Sequence, residues 1–187
     1  GCMEAVKQTI GDFCQQLNEK SIPVRLGLVE FRDEKIREET KIHGWTDEVS
    51  KFREWVSGME PGGGGDLPES ALDGVGVVLE MDWREGIPRS VVLITDAPCH
   101  VPDQKGQSAT DVGTLLKEKG IRTYAIAPRY APYEDLIRGS GGDPGEKGTD
   151  ADLVDFREHF RGTVSTAADI KLLGDKLMEL GGGMIED

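Results

Sequence analysis

Cysteine is scarce in this chain: Cys2, Cys14 and Cys99 are the only three among 187 residues. An odd count without paired spacing supplies neither a disulfide framework nor a zinc-ligand pattern. The expected setting is therefore a reducing, intracellular compartment, the cytoplasm. Positive charge is also short, with 22 Lys and Arg against 35 Asp and Glu and a net charge of -13. Nucleic acid and anionic membrane both require clustered Lys and Arg, so neither is expected as a partner. No apolar run is long enough to span a bilayer, and no signal-peptide pattern is found. Internal repeats and low-complexity linkers are missing too. What is left is a single α/β domain over residues 1–187, large enough for one substantial core.

What the chain does have is glycine in one conspicuous place. Pro61-Gly-Gly-Gly-Gly-Asp-Leu-Pro-Glu-Ser-Ala-Leu72 runs four glycines into an acidic residue and then into an amphipathic segment. Glycine reaches backbone angles that other residues avoid and lets a ligand approach the main chain. Asp66 is placed to cap the following helix, and Glu69, three residues on, completes a pattern like a capping box. The run is not a phosphate loop: no Lys-Ser/Thr follows, and an Asp at the helix start would repel phosphate.

Around that loop the periodicities alternate. Met3, Val6, Ile10, Phe13 and Leu17 mark a helix over residues 1–19. Residues 24–31 read as a strand covered on both faces, 32–39 as a turn and 40–45 as an edge strand. Thr46 or Asp47 is placed to cap a helix carrying Val49, Phe52, Val56 and Met59. Ala71, Leu72, Val75, Val78 and Leu79 line the helix after the glycine loop. Residues 90–95 are apolar or β-branched with one exception, as in a central parallel strand. A loop over 96–102, a helix stopped by Gly120, a strand over 122–127 and a helix over 133–138 follow. Residues 139–148 read as a polar, glycine-rich loop. A last edge strand over 161–166 and a closing helix with Ile170, Leu173, Leu177 and Leu180 end the pattern.

Alternating strands and helices call for a doubly wound, mostly parallel central sheet with helices on both faces. In such sheets ligands sit beyond the carboxyl ends of the strands. Asp33, the glycine loop with Asp66, and Asp96 would share that rim. Asp96 ends an apolar strand, where either a ligand-binding carboxylate or a loop brace is found. Two converging carboxylates would take a hard divalent cation, Mg²⁺ with Mn²⁺ or Ca²⁺ as substitutes. Cys99-His100 is an adjacent pair in a proline-stiffened loop, and adjacency alone makes no nucleophile. His43 and His159 read as surface or packing residues, and Trp45, Trp55 and Trp83 as core or core edge.

Two stretches together, Gly62-Gly-Gly-Gly-Asp-Leu-Pro-Glu-Ser-Ala-Leu72 and Val91-Val-Leu-Ile-Thr-Asp-Ala-Pro98 with His100, resemble a von Willebrand factor type A domain. Leu26-Gly-Leu-Val-Glu-Phe-Arg-Asp33 fits its second strand, and the branch resembled is the bacterial or intracellular one also seen attached to alpha-kinases. The resemblance implies a Rossmann-like fold and a metal-ion-dependent adhesion site built from three loops. The third loop's Asp matches Asp96. The second loop's usual Thr falls on Gly65, leaving Asp66 as the nearest oxygen donor. The first loop's Asp-x-Ser-x-Ser is not in this chain, and the resemblance places it and the first central strand before Gly1. The chain is accordingly expected to be an N-terminally incomplete piece of such a domain.

The function implied is a non-enzymatic, protein-binding module. A divalent cation on Asp96 and Asp66 would accept an acidic side chain from the partner, with Gly65, Leu67, His100 and Val101 lining the rim. A metal-independent scaffold of the same fold is the alternative. A metal-dependent phosphoryl-transfer enzyme ranks below both, because no second acid at short spacing, catalytic Lys or activated Ser accompanies Asp96.

Overall fold

The computed structural model describes residues 2–21, 23–32, 40–60, 68–146 and 152–155. Five helices and five strands lie along these segments, in the order αββααβαβαβ. Their contacts group into two compact units, one built from the N-terminal helix, hairpin and second helix, the other from most of residues 63–159.

In the first unit, α1 (Cys2–Glu19) follows the expected stripe. Val6, Phe13 and Leu17 are buried, joined by Ala5, Thr9 and Cys14. The buried Thr9 hydroxyl is satisfied by donating to the Ala5 carbonyl at 2.9 Å. Strands β1 (Leu26–Glu30) and β2 (Lys41–Thr46) pair antiparallel, with a register shift between Leu28 and Val29. β1 is half-buried except for the exposed Gly27, rather than covered on both faces as expected. His43 on β2 is a packing residue: its Nε2 lies 2.5 Å from Glu30 Oε1 and its ring stands 5.4 Å from that of Trp55. Helix α2 (Val49–Ser57) buries Phe52 and Val56. Its N-cap is Glu48, not Thr46 or Asp47, and Thr46 contributes one step earlier by accepting the Glu48 N–H at 3.0 Å.

The second unit holds the larger core, in which α3 (Ala71–Glu80), α4 (Ala109–Glu118) and α5 (Ala131–Gly139) pack around a parallel sheet. The sheet runs in the order β3 (Arg89–Ile94), β4 (Ile121–Ala127), β5 (Leu153–Asp155). Within this unit β4 is the middle strand and the most buried, only Arg122 being exposed. β3, expected to be central, buries Leu93 fully and is otherwise half-buried. β5 has no counterpart in the sequence reading. The glycine-rich stretch after α5 is tied down over its described part. Arg129 donates to the carbonyls of Pro144, Gly145 and Glu146 at 2.7–2.9 Å, and Asp152 accepts the Asp143 N–H at 2.8 Å. Trp45, Trp55 and Trp83 are all half-buried, at core edges as expected.

Helix α3 begins later than the glycine loop implied. Its N-cap is Ser70, which makes no side-chain cap bond. Glu69 does not serve a capping box either, since it pairs as a strand residue with Cys99. Asp33, the loop with Gly65, Asp66 and Leu67, the strand expected over 161–166, His159 and the closing helix lie outside the described residues.

Candidate binding rim at the strand ends

β3 and β4 run parallel and in step up to Ile94 and Ile126, so the loops that leave them emerge from one edge of the sheet. Beyond Ile94 the chain stays anchored. Thr95 donates its N–H to the Ile126 carbonyl at 3.0 Å, and its hydroxyl accepts the Ala97 N–H at 3.2 Å. The Ala97 carbonyl accepts the Tyr133 hydroxyl of α5 at 2.7 Å. Then Glu69 donates its N–H to the Pro98 carbonyl and accepts the His100 N–H, both at 2.9 Å. The 95–100 segment is thus held from the sheet, from α5 and from the residues leading into α3.

Asp96 stands at the crest of this fixed turn. Its neighbours Thr95 and Ala97 are buried, whereas Asp96 is exposed and makes no hydrogen bond or ion pair among the described residues. The loop-brace alternative to a ligand-binding Asp96 therefore finds no support there. His100 is half-buried and Val101 is 45% exposed. Cys99 is 1% exposed, and burial pushes its thiol up to about 11, so it is no nucleophile beside His100. Gly65, Asp66 and Leu67, the other half of the expected site, are outside the described residues. In sequence, however, Asp66 precedes Glu69 by three residues, as Asp96 precedes Cys99, the two members of the parallel bridge.

The residues that the sequence pattern does not reveal are the turn's supports. Tyr133 was legible as a helix residue, but nothing in its spacing told that its hydroxyl reaches the Ala97 carbonyl. A buried tyrosine always needs a partner for its hydroxyl, and that was the available signal. Among the described residues no group of three or more His, Cys, Asp or Glu converges on a common point. Of the two carboxylates expected there, Asp96 is the one described, exposed and with no hydrogen bond or ion pair among the described residues.

The profile of the von Willebrand factor type A domain matches residues 2–159. The chain belongs to the von Willebrand factor type A family. Over 50 residues it is 42% identical to the alpha-protein kinase vwkA of Dictyostelium discoideum, a stretch that is 27% of this chain and 8% of that protein. The matched stretch is thus a small fraction of the relative's length. Among solved structures it is similar to BatB from Bacteroides thetaiotaomicron, at 11% identity and a TM-score of 0.64, covering 96% of this chain and 88% of that one. It is also similar to proximal thread matrix protein 1 from the mussel byssus, at 13% identity and a TM-score of 0.64, covering 96% and 42%. A second structure of that mussel protein, with a zinc-occupied MIDAS motif, matches at 14% identity and a TM-score of 0.58, covering 93% and 40%. At such identities the likeness shows the α/β, Rossmann-like fold of a von Willebrand factor type A domain. Domains of this family commonly mediate protein interactions and are in general not enzymes. Among the described residues no helix is long and apolar enough to cross a membrane.

Proposed function

We propose that this von Willebrand factor type A domain is a protein-binding module whose contact face is the strand-end rim around Asp96. The observation that carries the reading is an exposed carboxylate, unengaged among the described residues, on a turn whose flanking peptides are hydrogen-bonded on three sides. A side chain with no structural duty on so fixed a support is a group held ready for a ligand.

In this reading Asp96 and Asp66 are the chain's oxygen donors to a divalent cation, Mg²⁺ in the first instance and Mn²⁺ or Ca²⁺ as substitutes. Such an ion supplies positive charge that attracts an acidic side chain of the partner. The matching three-residue offsets from the Glu69–Cys99 bridge support pairing the two carboxylates in one site. Gly65, Leu67, His100 and Val101 would line the contact, with the 45%-exposed Val101 giving an apolar flank. The net charge of -13 favours a protein partner over nucleic acid or an anionic membrane. The cytoplasm fits the two described cysteines, Cys14 and Cys99, both unpaired and buried.

Titration with Mn²⁺, following the free ion by its spin resonance, tests the cation directly. Wild-type protein should bind with a dissociation constant of about 10⁻⁴–10⁻³ M, the range of weak carboxylate sites. Asp96→Ala and Asp66→Ala should each weaken it at least about tenfold. A wild-type chain that binds no Mn²⁺, or an Asp96→Ala variant that titrates like wild type, would overturn the metal-centred reading in favour of a metal-independent scaffold.

A further inference from the structure

We propose that Tyr133 is a positioning residue for this rim: its hydroxyl, reaching out of α5 to the Ala97 carbonyl, sets the direction in which Asp96 is presented. The inference rests on the function proposed above and concerns how the site is held rather than what it binds.

Three hydrogen bonds define the backbone on either side of Asp96. The Thr95 N–H bond to Ile126 fixes the peptide leaving the strand's last residue, Ile94, and the Thr95 hydroxyl fixes the peptide between Asp96 and Ala97. The third, from Tyr133 at 2.7 Å, fixes the peptide leaving Ala97. The first ties the turn to β4, and the second closes within the turn itself. Tyr133 alone among the residues of these three bonds comes from a helix, so it ties the turn to a second support beside the sheet.

That support is stiff. Tyr133 is fully buried, and so are Leu136 and Ile137 beside it on α5. The ring packs edge-on against Tyr130 with centroids 5.8 Å apart. Helix α5 meets α4 backbone to backbone: a Cβ placed on Gly139 would lie 2.7 Å from the Thr110 carbonyl oxygen. A phenylalanine would fill the same volume without the cost of burying a hydroxyl. The oxygen at this position therefore does something that packing does not require, and its 2.7 Å contact is the peptide carbonyl next to Asp96. Thr95 and Cys99 border the same hydroxyl, which burial, with Cys99 beside it, pushes well above the ordinary tyrosine range. The group is consequently protonated, and able to donate, at neutral pH.

The test compares Mn²⁺ affinity in the whole chain for wild type, Tyr133→Phe, Asp96→Ala, the double variant, and Leu136→Ala as a stability control from the same helix. Tyr133→Phe should weaken Mn²⁺ binding about five- to tenfold, the loss of one buried hydrogen bond read at the ligand. It should have no further effect in the Asp96→Ala background, because the turn then has nothing to present. Leu136→Ala should lower the urea midpoint more than Tyr133→Phe does, yet leave the affinity unchanged. Thr95→Val, which releases the Ala97 N–H at the same turn, is the second variant and should act in the same direction as Tyr133→Phe. If Asp96→Ala abolishes binding while Tyr133→Phe and Thr95→Val titrate like wild type, positioning by Tyr133 is wrong and the site reading stands. Equal weakening by Leu136→Ala would show general loosening and also overturn it. Asp96→Ala titrating like wild type would instead remove the site reading itself.

Discussion

Deleting the Asp96 carboxylate takes away no hydrogen bond or ion pair among the described residues. Asp96→Ala is therefore expected to hold its unfolding free energy within about 0.5 kcal/mol of wild type, as exposed substitutions do. Urea titration measures this, and a loss of more than about 1.5 kcal/mol would mean that the carboxylate braces the loop after all. Tyr133→Phe, by contrast, leaves the Ala97 carbonyl with only the Thr95 hydroxyl at 3.5 Å and should cost about 1 kcal/mol or more. The two neighbours thus separate ligand binding from stability. Cys99 gives a third readout at this scale. With its thiol pushed up to about 11 by burial, almost none is thiolate near neutral pH. Alkylation at Cys99, followed by mass spectrometry, should be far slower in the native protein than in urea. Equal rates would mean that the 95–100 turn opens freely. Asp96 was legible in the sequence because an apolar strand that stops on a carboxylate is a local pattern. Tyr133 was not, since the contact that gives it meaning spans 36 residues.

Helices α4 and α5 show how close packing outweighs propensity. A Cβ on Gly113 would press on the Leu136 carbonyl and come within 2.9 Å of the Ser140 nitrogen, both backbone atoms that cannot step aside. Alanine gains about 0.8–1.0 kcal/mol over glycine in helix propensity. Forcing two helix backbones apart costs about 1–3 kcal/mol or more. Gly113→Ala is accordingly expected to destabilise, and a rise in the urea midpoint would mean the helices separate easily. The start of α4 carries a pH signature. Ser108 and Asp111 form a reciprocal capping box, and the hydrogen bonds from the Ser108 hydroxyl and N–H hold the Asp111 carboxyl below its ordinary 3.8. A depressed carboxyl stabilises the fold above its unfolded value, and that contribution is lost as pH falls through the folded one. The stability gap between wild type and Asp111→Asn should be present at neutral pH and close on acidification below 3.8. A gap that widened in acid would reverse the assignment. Helices α1 and α3 were legible because five apolar residues in each repeat at one period. The start of α3 was misplaced because a Gly-Gly-Asp-x-Pro-Glu run looks like a cap, whereas Glu69 is claimed by a backbone bridge to Cys99, 30 residues away in sequence. β5, three residues long and including the buried Leu153, offers no periodicity to detect.

For the chain as a whole, alternation of strand and helix carried the fold class, because a parallel ladder such as β3 with β4 needs a crossover helix between its strands. The family followed from two short stretches whose residue order is unusual, and the profile match over residues 2–159 agrees. Charge is the remaining whole-chain property, and it makes its own prediction. Several ion pairs on the described surface join side chains that remain largely exposed, such as Lys105 with Glu80 and Arg138 with Asp135. Pairs of that kind contribute little each. The excess of acids is different in kind, since thirteen unbalanced negative charges repel one another over distances longer than a single contact. Screening at about 0.15 M salt shortens that reach to about 8 Å, against about 30 Å at 0.01 M. Long-range repulsion is therefore suppressed by salt more than the short ion pairs are, and unfolding relieves the repulsion by spreading the charges. The thermal midpoint should rise on going from about 0.01 M to about 0.15 M NaCl. A falling midpoint would show instead that the local pairs outweigh the net charge. A further rise with about 1 mM Mg²⁺ at constant ionic strength, absent in Asp96→Ala, would separate a bound cation from simple screening.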